Sequence, residues 1–583
     1  MSLKKLLFFI ACWSMIPALL LANVYYSAVS SADLGVTDAI HGGEEEEWDL
    51  IIVGAGAAGS ILARRASDAG LSVLVLEAGQ FRYDDPVILT PNFFSVIDTL
   101  TTDPRYAETY PVVLSELSYL TYSIGRVVGG GAAHNYLLSV RGTPSIYNLW
   151  ALISGNPQWA YNNLLPYMKL VETYTPNGTP IDLAQRGVNG RISVTQSPSV
   201  ESDPFLQNIE AAGQVSYSDD YNDYTLGTTV AATTQSFVTP TNPHRSYSAL
   251  EYLPMTGPDA VIDQFGTGLN GRKLQILTNA RVLRFNTEGD NKVFSVEYVD
   301  TFGRDAYVRA ACLKEHGRLI LAAGAINTTN ILVHSGVGPA ADLAALGIRP
   351  LVDSPTVGTN TQNQYGSTMV LSGGSPATSL AFLSGAPYAV PADDGVRRIQ
   401  VIVDAPATLE ATSSKKQVFT VVGFLTNPSS TGQIQVVDKD PLVKPNFTYD
   451  FYSDGGLSNP TSDISLIVAF FRIIQTAAMN SGFKVLYPPP ADFLDPTNEA
   501  LAMDAQTTLG TFAIADHLVR TTPMGTSIAN SAVDGNLKVR GLKNVWVGDI
   551  GAIPQTTNGN TCLPAYYIAE KLSAILGFSG LKN

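Results

Sequence analysis

The sequence predicts an α/β fold in which a parallel sheet, assembled from separated segments, carries an inserted α+β domain built on an antiparallel sheet. Three observations point to it. Strand, glycine turn, helix and second strand succeed one another between Asp49 and Leu76. Two further apolar runs of the same kind, Arg318-Leu-Ile-Leu-Ala-Ala323 and Asn544-Val-Trp-Val-Gly548, lie far downstream. Between them run long stretches with strand-type alternation, such as Ile399–Val403 and Val418–Val422.

At 583 residues the chain is long enough to bury more than one core. Its start resembles an address. Lys4 and Lys5 precede an apolar run from Leu6 to Ala22, the pattern of a secretory signal peptide, with an uncleaved signal anchor as the alternative. Residues 1–22 are assigned to this signal and 23–47, ending in Glu44 to Glu47, to a solvated acidic linker. Export from the cell is therefore expected, and no second stretch is read as crossing a bilayer. The formal net charge of -15, with no basic stripe, speaks against a nucleic-acid partner. Cys12 would leave with the signal, so Cys312 and Cys562 allow at most one disulfide and no cysteine-ligated cluster. The six histidines show no metal-binding spacing. Of the glycosylation patterns at Asn177, Asn327 and Asn446, the last is the expected sugar site.

Asp49-Leu-Ile-Ile-Val53 is almost continuously apolar, as suits a strand buried on both faces. Gly54-Ala-Gly56-Ala-Ala-Gly59 follows, then a helix over Ser60–Ala69 closed by Gly70, then the strand Ser72–Leu76 ending in Glu77. In such a unit Gly54 makes the tight turn, Gly56 lets backbone approach a pyrophosphate, and Gly59 lets helix pack on strand. The helix N-terminus stabilises the phosphates. Glu77, 18 residues after Gly59, is placed to bind an adenosine ribose. This motif alone does not separate NAD from FAD. Downstream, Ile331–Val333 is read as the start of a helix after the 318–323 strand, and a last helix is expected from about Pro564 to Leu576.

Three segments resemble the glucose–methanol–choline (GMC) oxidoreductases, over nearly the whole span from Asp49 to Leu576. Gly125-Arg-Val-Val-Gly-Gly-Gly131-Ala-Ala-His134-Asn135, followed by Val140-Arg141-Gly142, is similar to the family's loop along the flavin. Ala323-Gly324-Ala-Ile-Asn327 through Ser335-Gly336-Val-Gly338-Pro339 is similar to its second signature, and Val533–Glu570 to its C-terminal stretch. The resemblance implies FAD as cofactor and a Rossmann-type FAD-binding domain (GMC/p-hydroxybenzoate-hydroxylase-like) from residues 48–150, 265–350 and 535–580. Residues 151–264 and 351–534 would form the substrate-binding domain. It also implies cofactor contacts from Gly129, Gly130, His134, Asn135, Val282, Gly324, Asp549 and Thr561, beside Gly54, Gly56, Gly59 and Glu77. Ala132 and Thr328-Thr329 depart from the family pattern. His134 stands where most members have an aliphatic residue, but choline oxidases resemble this chain there and carry FAD covalently on that histidine. A covalent His134–FAD bond is one expectation, and a histidine that only hydrogen-bonds the flavin is the other.

Asp516-His517-Leu-Val-Arg520-Thr521 resembles the family's catalytic segment, which makes His517 the base for a hydroxyl proton. Counting on from Pro554 reaches Asn560, choline-oxidase-like in type, as the hydrogen-bonding partner of the substrate oxygen; Asn558 is its competitor if the loop slips in register. Arg520 replaces a glycine and could orient the loop through Asp516, bind an acidic substrate group, or lie solvated at the surface. In Gly358-Thr-Asn360-Thr-Gln362-Asn363-Gln364 the family's Asp-His pair is missing, and nothing catalytic is read into its loss. The expected activity is oxidation of an alcohol by hydride transfer to flavin N5, with electrons passed to oxygen or a quinone-like acceptor. A flavin-containing hydroxynitrile lyase is the alternative, against which Asn560 argues because the lyases carry a second histidine there. A non-enzymatic relative would have no use for His517.

Overall fold

The computed structural model describes residues 46–578 except 92–95, 116–117, 179, 224–229, 233, 301–307, 385–387, 389–397, 404–406, 409–416 and 508–511. The signal segment and all of the acidic linker but its last two residues lie outside the described residues. The first strand, β1 (Glu47–Val53), pairs in parallel with β2 (Val73–Leu76) on one side and with the second half of Val308–Leu321 on the other. Leu274–Leu277 extends the sheet beyond β2, and Val545–Val547 pairs in parallel with Leu319–Leu321. Leu50, Ile51 and Ile52 are fully buried, because helices cover both faces of such a sheet. Between β1 and β2 runs helix α1 (Ala57–Asp68), which packs against the C-terminal helix Cys562–Ile575.

Two elements are longer than the apolar pattern predicts. The first half of Val308–Leu321 runs antiparallel to Lys292–Asp300, which pairs in turn with Ala280–Glu288. The helix expected near Ile331 begins at Gly324. Its early turns contain Asn327-Thr-Thr-Asn330, a polar stretch that hides the helical pattern. Those hydroxyls are satisfied internally, Thr329 Oγ1 donating to the Ala325 carbonyl and Thr328 Oγ1 to Asp549 Oδ2.

The second sheet has the strand order Lys484–Tyr487, Tyr365–Ser372, Gln417–Leu425, Ile399–Val403, Ser379–Leu383, Val230–Ala232, Ser216–Ser218, antiparallel except for the last pair. Helices Asp463–Asn480 and Pro204–Gly213 pack together beside it. The first of these has the length and composition of a membrane span. It is largely buried in the core, with Phe470 seated against Gly423 of the sheet.

The two domains are interleaved more deeply than the boundaries at 150, 264 and 351 imply. Trp159, Leu164, Tyr167, Val261 and Ile262 lie in the core of the first sheet, although they fall within the stretch assigned to the substrate-binding domain. Conversely, the strands Ala107–Ser115 and Ser118–Gly125 join a small sheet with Gly432–Gln435 and Asn446–Tyr449. Motif positions mark where the chain meets the cofactor, but carry no signal for which sheet a connecting segment joins.

Candidate active site

The turn between β1 and α1 is shaped by contacts only glycine allows. Gly54 has φ +95, and a Cβ there would lie 2.5 Å from the Ala322 carbonyl oxygen. A Cβ on Gly59 would lie 1.9 Å from the Gly54 carbonyl oxygen, so α1 can sit this close to the turn only without a side chain. Gly56 caps α1, which has no side-chain cap and no carboxylate in its first turn. Gly129 and Gly130 cross directly above. The Gly129 amide donates to the Ala55 carbonyl at 2.8 Å, and a Cβ on Gly130 would approach Gly56 Cα to 2.9 Å.

Glu77 ends β2 with both carboxylate oxygens engaged. Oε2 accepts from the Ala55 amide and Oε1 from the Gly79 amide, each at 2.7 Å. Burial pushes its carboxyl up, against the pull of those two amides. The Ala280 amide donates to the Glu77 carbonyl, which puts Val282 on the strand leaving this corner. Asp549 plays a similar part on the other side of the sheet. Its Oδ2 accepts from the Gly324 amide and Oδ1 from the Gly551 amide, and burial pushes its carboxyl up to about 6. Thr561 begins the C-terminal helix.

His134 closes the short helix Gly131–His134, with Nε2 3.2 Å from Ser123 Oγ. Burial, reinforced by Arg245, holds its imidazole down at about 4. Asn135 turns its polar atoms to protein: Oδ1 accepts from the Leu137 amide and from Arg245 Nη1, and Nδ2 donates to Cys562 Sγ. Cys312 and Cys562 form no disulfide with one another. Among the described residues no cluster of potential metal ligands occurs.

At the other end of the site His517 and Asn560 face one another. His517 Nε2 lies 3.5 Å from Asn560 Nδ2, and both side chains are only partly covered. The second ring nitrogen, Nδ1, lies 2.7 Å from Gln364 Oε1. Gln364 Nε2 lies within hydrogen-bond distance of three carbonyls, those of Thr426, Thr557 and Gly559, among which its two N–H groups donate. That fixes the orientation of its amide, so Oε1 must accept and Nδ1 must carry the proton. His517 Nε2 is therefore the bare nitrogen, aimed at Asn560. Burial alone pushes the imidazole down to about 4, so it is neutral at pH 7. Asn363, one residue before Gln364, accepts from the His517 amide through Oδ1 at 3.0 Å. Asn363 and Gln364 occupy the places of the family's Asp-His pair, and both hold His517.

Asn558 is the N-terminal anchor of the neighbouring helix. Its Oδ1 accepts from the Thr143 amide and its Nδ2 donates to Thr143 Oγ1, away from His517. Arg520 is half-buried and makes no hydrogen bond or ion pair among the described residues, so it does not orient the loop through Asp516. Its φ of +62 explains the glycine in similar sequences. Asp516 instead accepts from the Ser123 amide, and burial pushes its carboxyl up to about 7.

A family model for GMC oxidoreductase matches residues 48–366, and a second, for the C-terminal part, residues 428–569. The chain is 25% identical to pyranose dehydrogenase 3 of Leucoagaricus meleagris, over 91% of this chain and 93% of that one. It is 27% identical to an oxygen-dependent choline dehydrogenase of Staphylococcus xylosus, over 91% and 95%. Among solved structures it is similar to formate oxidase, with a TM-score of 0.74 and 20% identity over 92% of this chain and 99% of that one. The residues present fit FAD. The free N–H groups of α1 suit a pyrophosphate. Beside Gly129, whose Cβ would meet the Tyr247 ring, Arg245 Nη2 and Tyr247 Oη are buried without hydrogen-bond partners. The chain belongs to the GMC oxidoreductase family and is an FAD-dependent oxidoreductase.

Proposed function

We propose that the enzyme oxidises an alcohol to a carbonyl compound, with His517 as base and Asn560 as the group that binds the substrate oxygen. The observation that carries this is the bare Nε2 of His517, fixed by Gln364 and facing a donor, Asn560 Nδ2, across a long contact of 3.5 Å. A hydroxyl entering between them can donate its proton to Nε2 and accept a hydrogen bond from Nδ2. FAD, when bound, supplies the hydride acceptor. The Asn560 hydrogen bond strengthens as negative charge grows on the oxygen, and the partial enclosure of both side chains keeps water away from it.

The relatives' names, pyranose and choline dehydrogenase, put sugars and choline-type alcohols among the substrates to try. Oxygen or a quinone-like compound is the proposed final acceptor. The proposed destination is extracellular, on the strength of Lys4, Lys5 and the apolar run after them, and Asn446, exposed at a strand start, is the proposed sugar site. We also propose that His134 carries FAD covalently. Its neutral ring and a nitrogen beside Ser123 support that role. Flavin left wholly in the supernatant after acid precipitation rules it out.

The deciding experiment adds a panel of alcohols anaerobically to the purified protein while its visible spectrum is recorded. Flavin bands that bleach with an alcohol support the reading. Recovery in air then identifies an oxidase, and persistence of the bleached state a dehydrogenase. Bands untouched by every alcohol, with benzaldehyde released from mandelonitrile, replace it with the lyase.

A further inference from the structure

We infer that Gln400 is a positioning residue, which keeps the Asn560 amide turned so that Nδ2, and not Oδ1, meets the substrate oxygen. This rests on the alcohol-oxidising reading of the site. A primary amide has almost the same shape when flipped, but flipping exchanges a donor for an acceptor. With Oδ1 forward, the growing negative charge on the substrate oxygen would face a carbonyl dipole of the wrong sign. The orientation must therefore be set from behind.

Polarity passes outward from fixed backbone groups. The carbonyls of Thr426, Thr557 and Gly559 orient Gln364, which sets the tautomer of His517. A bare Nε2 on His517 requires the nearer atom of Asn560 to be Nδ2. Oδ1 then points the other way, where Gln400 Nε2 donates to it at 3.0 Å. Gln400 and His517 are the side-chain partners of Asn560 among the described residues. Once an alcohol occupies the space in front of His517, that contact is replaced, and Gln400 is the partner that still distinguishes the two orientations.

Gln400 is itself held firmly. It is buried in Ile399–Val403, with Phe382 and Phe424 as its neighbours on the two flanking strands. Two residues earlier, Arg398 donates to the Asn558 carbonyl at 2.8 Å. Arg398, just before the strand, and Gln400 within it thus hold loop positions 558 and 560 together.

The test compares Gln400→Glu with Gln400→Met, each alone and combined with Asn560→Ala, by anaerobic stopped-flow reduction of the flavin. Flavin content and thermal midpoint check that each variant is folded. A carboxylate at 400 can only accept, so Asn560 should turn Nδ2 toward it and offer Oδ1 to the substrate. The expected loss for Q400E is roughly 10²–10³-fold in the limiting reduction rate, with the half-saturating alcohol concentration little changed. Q400M, which removes the constraint without reversing it, should lose about tenfold. In the Asn560→Ala background both substitutions should cost less than about threefold, since no amide remains to orient. Equal losses for Q400E and Q400M, or a Q400E loss undiminished in that background, overturn the inference. A wild-type flavin that no alcohol reduces overturns the reading beneath it, and the inference with it.

Discussion

The dinucleotide end and the catalytic end of this enzyme solve the same problem, fixing polar atoms in place, with different materials. Around β1 and α1 the fastening is ionic and main-chain: Glu77 grips the amides of Ala55 and Gly79, and Asp549 those of Gly324 and Gly551. Around His517 it is neutral and side-chain, through Gln364, Asn363, Asn560 and Gln400. The difference has an electrostatic purpose. A carboxylate behind His517 would stabilise the imidazolium and keep the base protonated at acid pH. An amide fixes the same tautomer with no net charge, so burial is left to hold the ring near 4.

The contrast can be broken first at the dinucleotide end. Gly59→Ala should leave no flavin-loaded folded protein, because the added methyl collides with backbone at 1.9 Å; flavin absorbance and circular dichroism check this. At the catalytic end the backbone is untouched and the losses are kinetic. His517→Ala should slow flavin reduction roughly 10²–10⁴-fold with flavin content unchanged, measured by stopped flow.

Gln364→Glu sharpens the comparison by importing the ionic solution. In the wild type kcat/KM should hold as pH falls and drop only near 4, where His517 takes up its proton. The variant should move that limb upward by about 1–3 pH units. A profile that does not move contradicts the role given to Gln364. Stability should follow a related course. His517 and His134 are both depressed to about 4, so the unfolded chain protonates first. Their contribution is present above an unfolded value of about 6.5 and is lost as pH falls from there toward 4, read as a falling urea midpoint. The smallest effect belongs to Arg520→Gly. Relief of the left-handed backbone should stabilise the fold by about 1 kcal/mol, visible in urea unfolding.

Legibility in the sequence divides along the same line. Glycines announce a backbone turn locally, so the Gly54–Gly59 loop and its flanking strands could be read directly. His517 and Asn560 could be reached because flanking residues match a family pattern. Gln364 and Gln400 could not: Gln364 ends a run of polar residues, Gln400 is one polar position in an alternating strand, and each meets its partner only across distant segments. Arg520 is illegible for a different reason, since a side chain says little about a position whose requirement is a positive φ.

The order of strands in the first sheet also has a consequence for synthesis. β1 and β2 emerge early, but β2's outer neighbour, Leu274–Leu277, and β1's other neighbour, Val308–Leu321, are made much later. At ~5–20 residues per second the nascent βαβ unit waits roughly 10–40 s for the next strand, with the outer edges of both strands unpaired meanwhile. The last parallel strand, Val545–Val547, is made later still. The sheet that carries the cofactor cradle is thus completed only once that distant strand has been made.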